Sequence, residues 1–370
     1  MKVAQRTPFI LLLILFIGAC SEKSKQFYSA THENIRYGGR IDYKNPEAPV
    51  FIGSASFVEF AFTGNNCSVK LKKLNPEGEH NYVSVEIDGQ YIDRMIVQNE
   101  EMKDFLFEIP GAGKHHIRIY KATEAQNNHV AFGGVTALSL ESLPSEPSRK
   151  IEFIGNSITC AMGADVEEIP CGEGLWYDQH NAYWSYATQS AKALDAQFLL
   201  SSVSGIGMYR NWNSLSPVMP DVYENLYLNT DSTSRYDFSS YAPDLVSICL
   251  GTNDMSDGDG VKERLPFDSV QYVQAYLQFI GKVYEKYPST QICLLSSPMM
   301  GAGDKREMLS SCLAAIKENA DSIYSGKKSV ALYDILLDGA PGGCTSHPDK
   351  DDQLAMTEML VPFYQEVMGW

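Results

Sequence analysis

The chain has 370 residues, 44% of them apolar and 21% charged, enough to bury sizeable cores and, by its length, to fill two domains. A formal net charge of −16 and a pI near 4.9 argue against a nucleic-acid partner, which needs a basic footprint. No run of Lys or Arg interleaved with aromatics offers one, and neutral substrates fit the balance better.

Lys2 and Arg6 precede an unbroken apolar run from Phe9 to Ile17, too short to cross a bilayer as a helix, and Gly18-Ala19-Cys20 follows at once. The pattern predicts an export signal over residues 1–20. Small residues directly before a cysteine resemble a bacterial lipobox. Cys20 is therefore expected to carry lipid and residues 21–35 to form a tether. The protein is expected to be an exported lipoprotein of the bacterial outer membrane, on its periplasmic or outer face. An ordinary signal cut near Ala19, with Cys20 incidental, is the plainer alternative.

From 36 to 141 the pattern has period two. Val83, Val85 and Ile87 alternate with polar neighbours, Asp88-Gly89 supplies a hairpin turn, and Tyr91 to Val97 follows as the partner strand. Further strands are predicted at Phe57 to Phe62, Ser68 to Leu71, around Ile117 and Ile119, and at Val130 to Leu140. Short strands separated by turn residues point to a β-sandwich.

The Pro- and Ser-rich stretch Ser142 to Arg149 reads as a boundary. Beyond it, over 150–370, apolar runs at Lys150 to Ile154, Gln197 to Val203, Asp244 to Leu250, Gln291 to Ser296 and Ser329 to Tyr333 alternate with segments of helical period. Those helical segments include Tyr183 to Leu194 and Val270 to Tyr284, and a C-terminal helix starts near Asp351. Continuous apolar strands with helices between them predict a parallel sheet covered on both faces, a three-layer α/β domain.

In such a sheet, ligands bind beyond the carboxyl ends of the strands. Ser157 in Gly155-Asn156-Ser157-Ile158-Thr159, Gly205 in Ser204-Gly205-Ile206-Gly207 and Asn253 in Gly251-Thr252-Asn253-Asp254 each follow a predicted strand by two or three residues. His347, in Cys344-Thr345-Ser346-His347-Pro348, falls before the last helix. A serine hydroxyl needs a base to take its proton, and a neutral imidazole is the usual one. The backbone N–H groups of Ser157 and Gly205 and the side-chain amide of Asn253 supply donors for a tetrahedral oxyanion. Taken singly these residues also read as a helix cap, a turn glycine, an Asx turn and a loop histidine. Only their company makes acyl-transfer chemistry.

Seven cysteines follow Cys20, at 67, 160, 171, 249, 293, 312 and 344. None has the paired spacing of a structural zinc site, so no metal is expected, and no cofactor. Cys249 and Cys293 read as buried thiols, while Cys160, Cys171 and Cys344 lie near the expected site, where an exported compartment permits a disulfide. Which pair forms is open at this stage.

The four blocks, in this order, resemble the SGNH hydrolase superfamily over residues 150–370. More narrowly, Asn181-Ala182-Tyr183, Arg210-Asn211-Trp212, Gly343-Cys344 and His347-Pro348, together with Gly39-Arg40, Ile87-Asp88-Gly89 and Lys121-Ala122-Thr123-Glu124, resemble carbohydrate esterase family 2. The resemblance implies a jelly-roll before a flavodoxin-like hydrolase domain. It also implies removal of O-acetyl groups from plant cell-wall polysaccharides such as xylan or glucomannan, without a metal. The implied partner is an acetylated polysaccharide or oligosaccharide.

Two departures from the family pattern stand out. The superfamily's Asp three residues before the histidine is Cys344 here, and the Asp-Trp that commonly precedes the histidine is Thr345-Ser346. Either a main-chain carbonyl orients the imidazole, giving a Ser157–His347 dyad, or a carboxylate such as Asp349 or Glu173 reaches in; the dyad is the reading favoured here. The lost tryptophan removes one sugar platform, for which Trp212, Tyr209 and Trp176 are candidate substitutes. The rival functions are a lipid or thioester esterase and a glycan-binding lipoprotein without activity.

Overall fold

The computed structural model describes residues 24–74 and 80–370. The apolar run and Cys20, on which the export and lipidation expectations rest, lie outside the described residues. Among the described residues no helix is long and apolar enough to cross a membrane.

The first part of the chain is antiparallel. Its strands are β1 (Gln26–Tyr28), β2 (Ile35–Gly38), β3 (Ile41–Asp42), β4 (Val50–Phe51), β5 (Phe57–Thr63) and β6 (Asn66–Leu74). They continue with β7 (Asn81–Ile87), β8 (Gln90–Val97), β9 (Lys103–Glu108), β10 (Lys114–Lys121), β11 (His129–Ala137) and β12 (Ser139–Glu141). One sheet runs β3-β4-β11-β6-β9 with β1 on β11, and the other β12-β5-β10-β7-β8 with β2 on β5. Val69 and Val135 from the first sheet and Phe60, Val85 and Ile119 from the second enter one apolar cluster.

The expected tether at 21–35 needs correction. Gln26–Tyr28 pairs with Val135 to Ala137 as β1, and Ile35 opens β2. Three residues carry too short a pattern to announce a strand, and it is β11, more than a hundred positions away, that supplies the pairing.

The second part is a five-stranded parallel sheet. Its strands and helices are β13 (Arg149–Gly155), α1 (Ser157–Cys160), α2 (Tyr186–Ala193), β14 (Ala196–Ser202), α3 (Met219–Val222), β15 (Leu245–Cys249), α4 (Ser269–Lys286), β16 (Gln291–Leu295), α5 (Asp304–Ile323), β17 (Ala331–Tyr333) and α6 (Lys350–Met368). The strand order is β14-β13-β15-β16-β17. Alternate residues of β16 show why both faces are covered. Ile292 and Leu294 pack with Tyr276 of α4 and Leu313 of α5. Cys293 and Leu295 pack with Ala187 of α2 and Leu360 of α6 on the other face. Period two along a strand buried on both sides produces a continuous apolar run, which is how these strands read in the sequence.

Strand order reverses at β13, whose neighbours are β14 and β15. Chains leaving those three strands in opposite directions open a crevice at their carboxyl ends. Ser157, Gly205 and Asn253 stand at that crevice.

Candidate active site

Gly155 ends β13, and a Cβ there would lie 2.0 Å from Thr159 Oγ1, so only glycine allows the turn into α1 to be this tight. Asn156 caps α1 by accepting from Ile158 N at 3.1 Å. Ser157, the first helical residue, is 4% exposed.

His347 Nε2 is 2.8 Å from Ser157 Oγ, although the two are 190 positions apart in the chain. The histidine reaches it because Thr345 and Ser346 both adopt left-handed backbone, φ 53° and 59°, which folds the loop back on itself. His347 Nδ1 then lies 3.1 Å from the Cys344 carbonyl oxygen and 3.0 Å from Thr345 Oγ1. A carbonyl only accepts, so Nδ1 carries the proton and donates, and Nε2 is left with a lone pair facing the serine. Burial holds the imidazole pKa below its ordinary value of 6.5, opposed by the hydrogen bond to Cys344. Neutral imidazole is the form that accepts a proton.

The two carboxylates that might have oriented the ring are elsewhere. Asp349 caps α6, its Oδ1 accepting from Asp352 N at 2.9 Å, and Glu173 lies exposed in the loop after α1. Cys344 is itself fixed: its N–H donates to Gly163 O at 3.1 Å, and its sulfur forms a disulfide with Cys171.

Gly205 has φ +78°, a region open to glycine at little cost. Asn253 Nδ2 donates one hydrogen to Ile206 O at 2.8 Å. The planar amide leaves its second hydrogen free for the cleft. Asp254 holds the intervening loop, its carboxylate accepting from Met208 N, Tyr209 N and Arg210 N, and burial pushes its pKa up to about 6. Asn253 and Asp254 thus divide the work, one facing the cleft and one the loop.

The four residues line a cavity of about 510 Å³, with Trp176, Trp212, Met162 and Gln126 among its walls. Trp176 and Trp212 are 49% and 44% exposed. Tyr209 is a correction. Its ring packs edge-on against Phe267 and Tyr272, and its hydroxyl accepts from Asp268 N at 2.9 Å, so it belongs to the apolar layer of α4 and not to the cleft. Trp212, three residues further on, lines the cavity where Tyr209 does not. Trp184 packs partly buried against the α2–α6 layer, as its neighbours suggest.

Residues that the sequence reading assigned no role include Glu124, Gln126 and His180. Glu124 and His180 are fully buried beside the cleft and 3.3 Å apart. The only sequence signal for Glu124 was its place in the family-like stretch 121–124. Among the described residues no group of three or more His, Cys, Asp or Glu side chains is placed to hold a metal ion.

Comparison with known proteins places this geometry. Residues 37–147 match the family model described as Carbohydrate esterase 2 N-terminal. The chain is 33% identical over 343 residues to the cellulase/esterase CelE of Acetivibrio thermocellus, covering 91% of this chain but 40% of that protein's length. It is 26% identical to an acetylxylan esterase / glucomannan deacetylase of Cellvibrio japonicus, covering 98% and 99% of the two. A solved family two carbohydrate esterase from Clostridium thermocellum, in complex with cellohexaose, superposes with a TM-score of 0.80 at 30% identity, covering 91% of this chain and 99% of that one. Full-length agreement of this order, in sequence and in fold, means that the chain belongs to carbohydrate esterase family 2.

Proposed function

We propose that the protein is a serine esterase that removes O-acetyl groups from plant cell-wall polysaccharides, xylan or glucomannan among them, through an acetyl-enzyme. The observation that carries the reading is the 2.8 Å contact between Ser157 Oγ and His347 Nε2 in a cavity edged by Gly205 and Asn253. The names of the relatives support the substrate class. Ser157 Oγ attacks the acetyl carbonyl carbon while Nε2 takes its proton, and negative charge collects on the former carbonyl oxygen. The N–H groups of Ser157 and Gly205 and the free hydrogen of Asn253 Nδ2 stabilise it. Collapse breaks the bond to the sugar oxygen, which receives the proton from Nε2. Water then attacks the acetyl-serine, gives its proton to Nε2 and releases acetate, returning the proton to Ser157.

The main-chain carbonyl of Cys344 takes the orienting part that a carboxylate usually plays, so the base is one member of a dyad. Trp176 and Trp212 offer flat faces to pyranose C–H surfaces. We read the antiparallel part as a jelly-roll sandwich and the parallel part as a flavodoxin-like SGNH domain, which the two-sheet core and the strand order support. On the sequence around Cys20 alone, we place the enzyme at the outer membrane as a lipoprotein. Ser157→Ala and His347→Ala should each abolish acetate release from acetylated xylan, glucomannan and p-nitrophenyl acetate with an unchanged circular dichroism spectrum. A folded Ser157→Ala protein of full activity would remove the nucleophile from this account.

A further inference from the structure

Among the described residues, the antiparallel part of the molecule lines the cleft at one place, through Gln126 in the turn between β10 and β11. Its backbone is tied down on both sides. Lys121 Nζ donates to Thr123 Oγ1 at 2.9 Å and to the Glu124 carbonyl at 2.6 Å. Asn127 N donates to the same carbonyl at 3.1 Å, and Ala182 N to Ala122 O at 2.8 Å.

Two side chains of this turn grip Ser204, the residue before Gly205. The fully buried Glu124 accepts from Ser204 N at 2.6 Å through Oε2 and meets His180 Nε2 at 3.3 Å through Oε1. Cys160 Sγ approaches the same Oε2 at 3.4 Å. Gln126 Nε2 donates to the Ser204 carbonyl at 2.8 Å. That carbonyl and the Gly205 N–H belong to one peptide unit. In a planar trans peptide the C=O and N–H point in opposite directions, so a donor that fixes the first also aims the second. Gly205 N–H has no acceptor among the described residues, and its peptide borders the cavity that holds Ser157 and His347. Donation to the carbonyl also polarises the N–H and strengthens what it gives to an anion.

Resting on the esterase reading above, we infer that the β10–β11 turn is part of the catalytic apparatus: Gln126, buttressed by Glu124, is a positioning residue that aims the Gly205 N–H at the oxyanion. The preceding domain is then needed for the chemical step itself, and not only for holding glycan. Glycine at 205, with φ +78°, has a soft backbone that needs such an external hold.

Gln126 is exposed, so its variants should fold, and the full chain is the right sample. With p-nitrophenyl acetate, which is too small to use the polysaccharide platforms, Gln126→Ala should lower kcat about tenfold. Gln126→Glu, which sets an acceptor against the carbonyl, should lower it roughly a hundredfold, the scale of a misplaced or lost oxyanion donor. KM and the melting temperature should stay at wild-type values, because only an interaction made in the transition state is weakened. The same kcat ratios should appear with acetylated glucomannan. An active wild type whose two variants match it on p-nitrophenyl acetate, or whose loss is confined to KM for the polysaccharide, overturns this inference alone. A wild type that releases no acetate overturns the esterase reading and this one with it.

Discussion

Removing the Cys171–Cys344 bridge separates two jobs that it combines. The bridge spans a sequence separation of 173 residues, and for a loop of that length the chain-entropy relation gives about 5 kcal/mol at 25 °C, against about 2–4 kcal/mol commonly measured. A loss of about 3 kcal/mol in the Cys171→Ser/Cys344→Ser double variant corresponds to a fall in Tm of roughly 4–7 °C for a chain of this size. The effect on catalysis should be far smaller. Cys344 O orients His347, but Cys344 N still donates to Gly163 O at 3.1 Å and Gly343 N to His347 O at 2.8 Å, so the carbonyl keeps its place. We expect kcat on p-nitrophenyl acetate to fall less than about tenfold, below the cost of a 1 Å displacement. Scanning calorimetry of the double variant and of wild type with and without reductant, alongside initial rates at a temperature well below both transitions, measures the two effects. An unchanged Tm in the non-reduced comparison would refute the stability argument. A collapse of kcat in a folded variant would show that the backbone bonds do not suffice to hold the histidine loop.

The pH dependence follows from the buried imidazole. The base works only when neutral, and burial holds the His347 pKa below 6.5, so the acid limb of kcat/KM should lie below pH 6.5 and the rate should be flat above it; a limb well above that value in a pH–rate profile contradicts the assignment. The two tryptophans should behave differently. Trp176→Ala should raise KM for acetylated polysaccharide by roughly three- to tenfold, the scale of one aromatic contact, and leave p-nitrophenyl acetate untouched. Trp212 N donates to Gly205 O at 3.0 Å, and its ring would meet a Cβ on Gly205 at 2.7 Å. Trp212→Ala should therefore also lower kcat on the small ester, and identical kinetics of the two variants would count against the contact.

Much of the parallel sheet is legible in the sequence because its evidence is local. All five expected runs coincide with strands, since burial on both faces writes an unbroken apolar run into the chain. Helix α5, absent from the expected elements, carries its buried Leu309, Cys312, Leu313, Ile316 and Ala320 at helical spacing, so its signal is present in the sequence too. α2 begins only at Tyr186, because Ser185 caps it by accepting from Ala187 N at 3.2 Å. Asn181 instead donates to Asp165 Oδ2 at 2.8 Å and accepts from Ser84, tying the chain before the helix to the antiparallel part.

The amino-acid order by itself determined which chemistry was available: a hydroxyl, a flexible N–H and an amide, each just beyond a strand that its own period announces, and an imidazole ahead of the last helix. Tertiary structure decided how they are held. The proton on His347 Nδ1 is fixed by a carbonyl that any residue at 344 would have carried, and the peptide before Gly205 is gripped from β10–β11, about eighty positions earlier in the chain. Neither leaves a mark in local periodicity. Main-chain groups are the same at every position, and contacts between distant segments depend on where the backbone passes, which only the packed molecule defines.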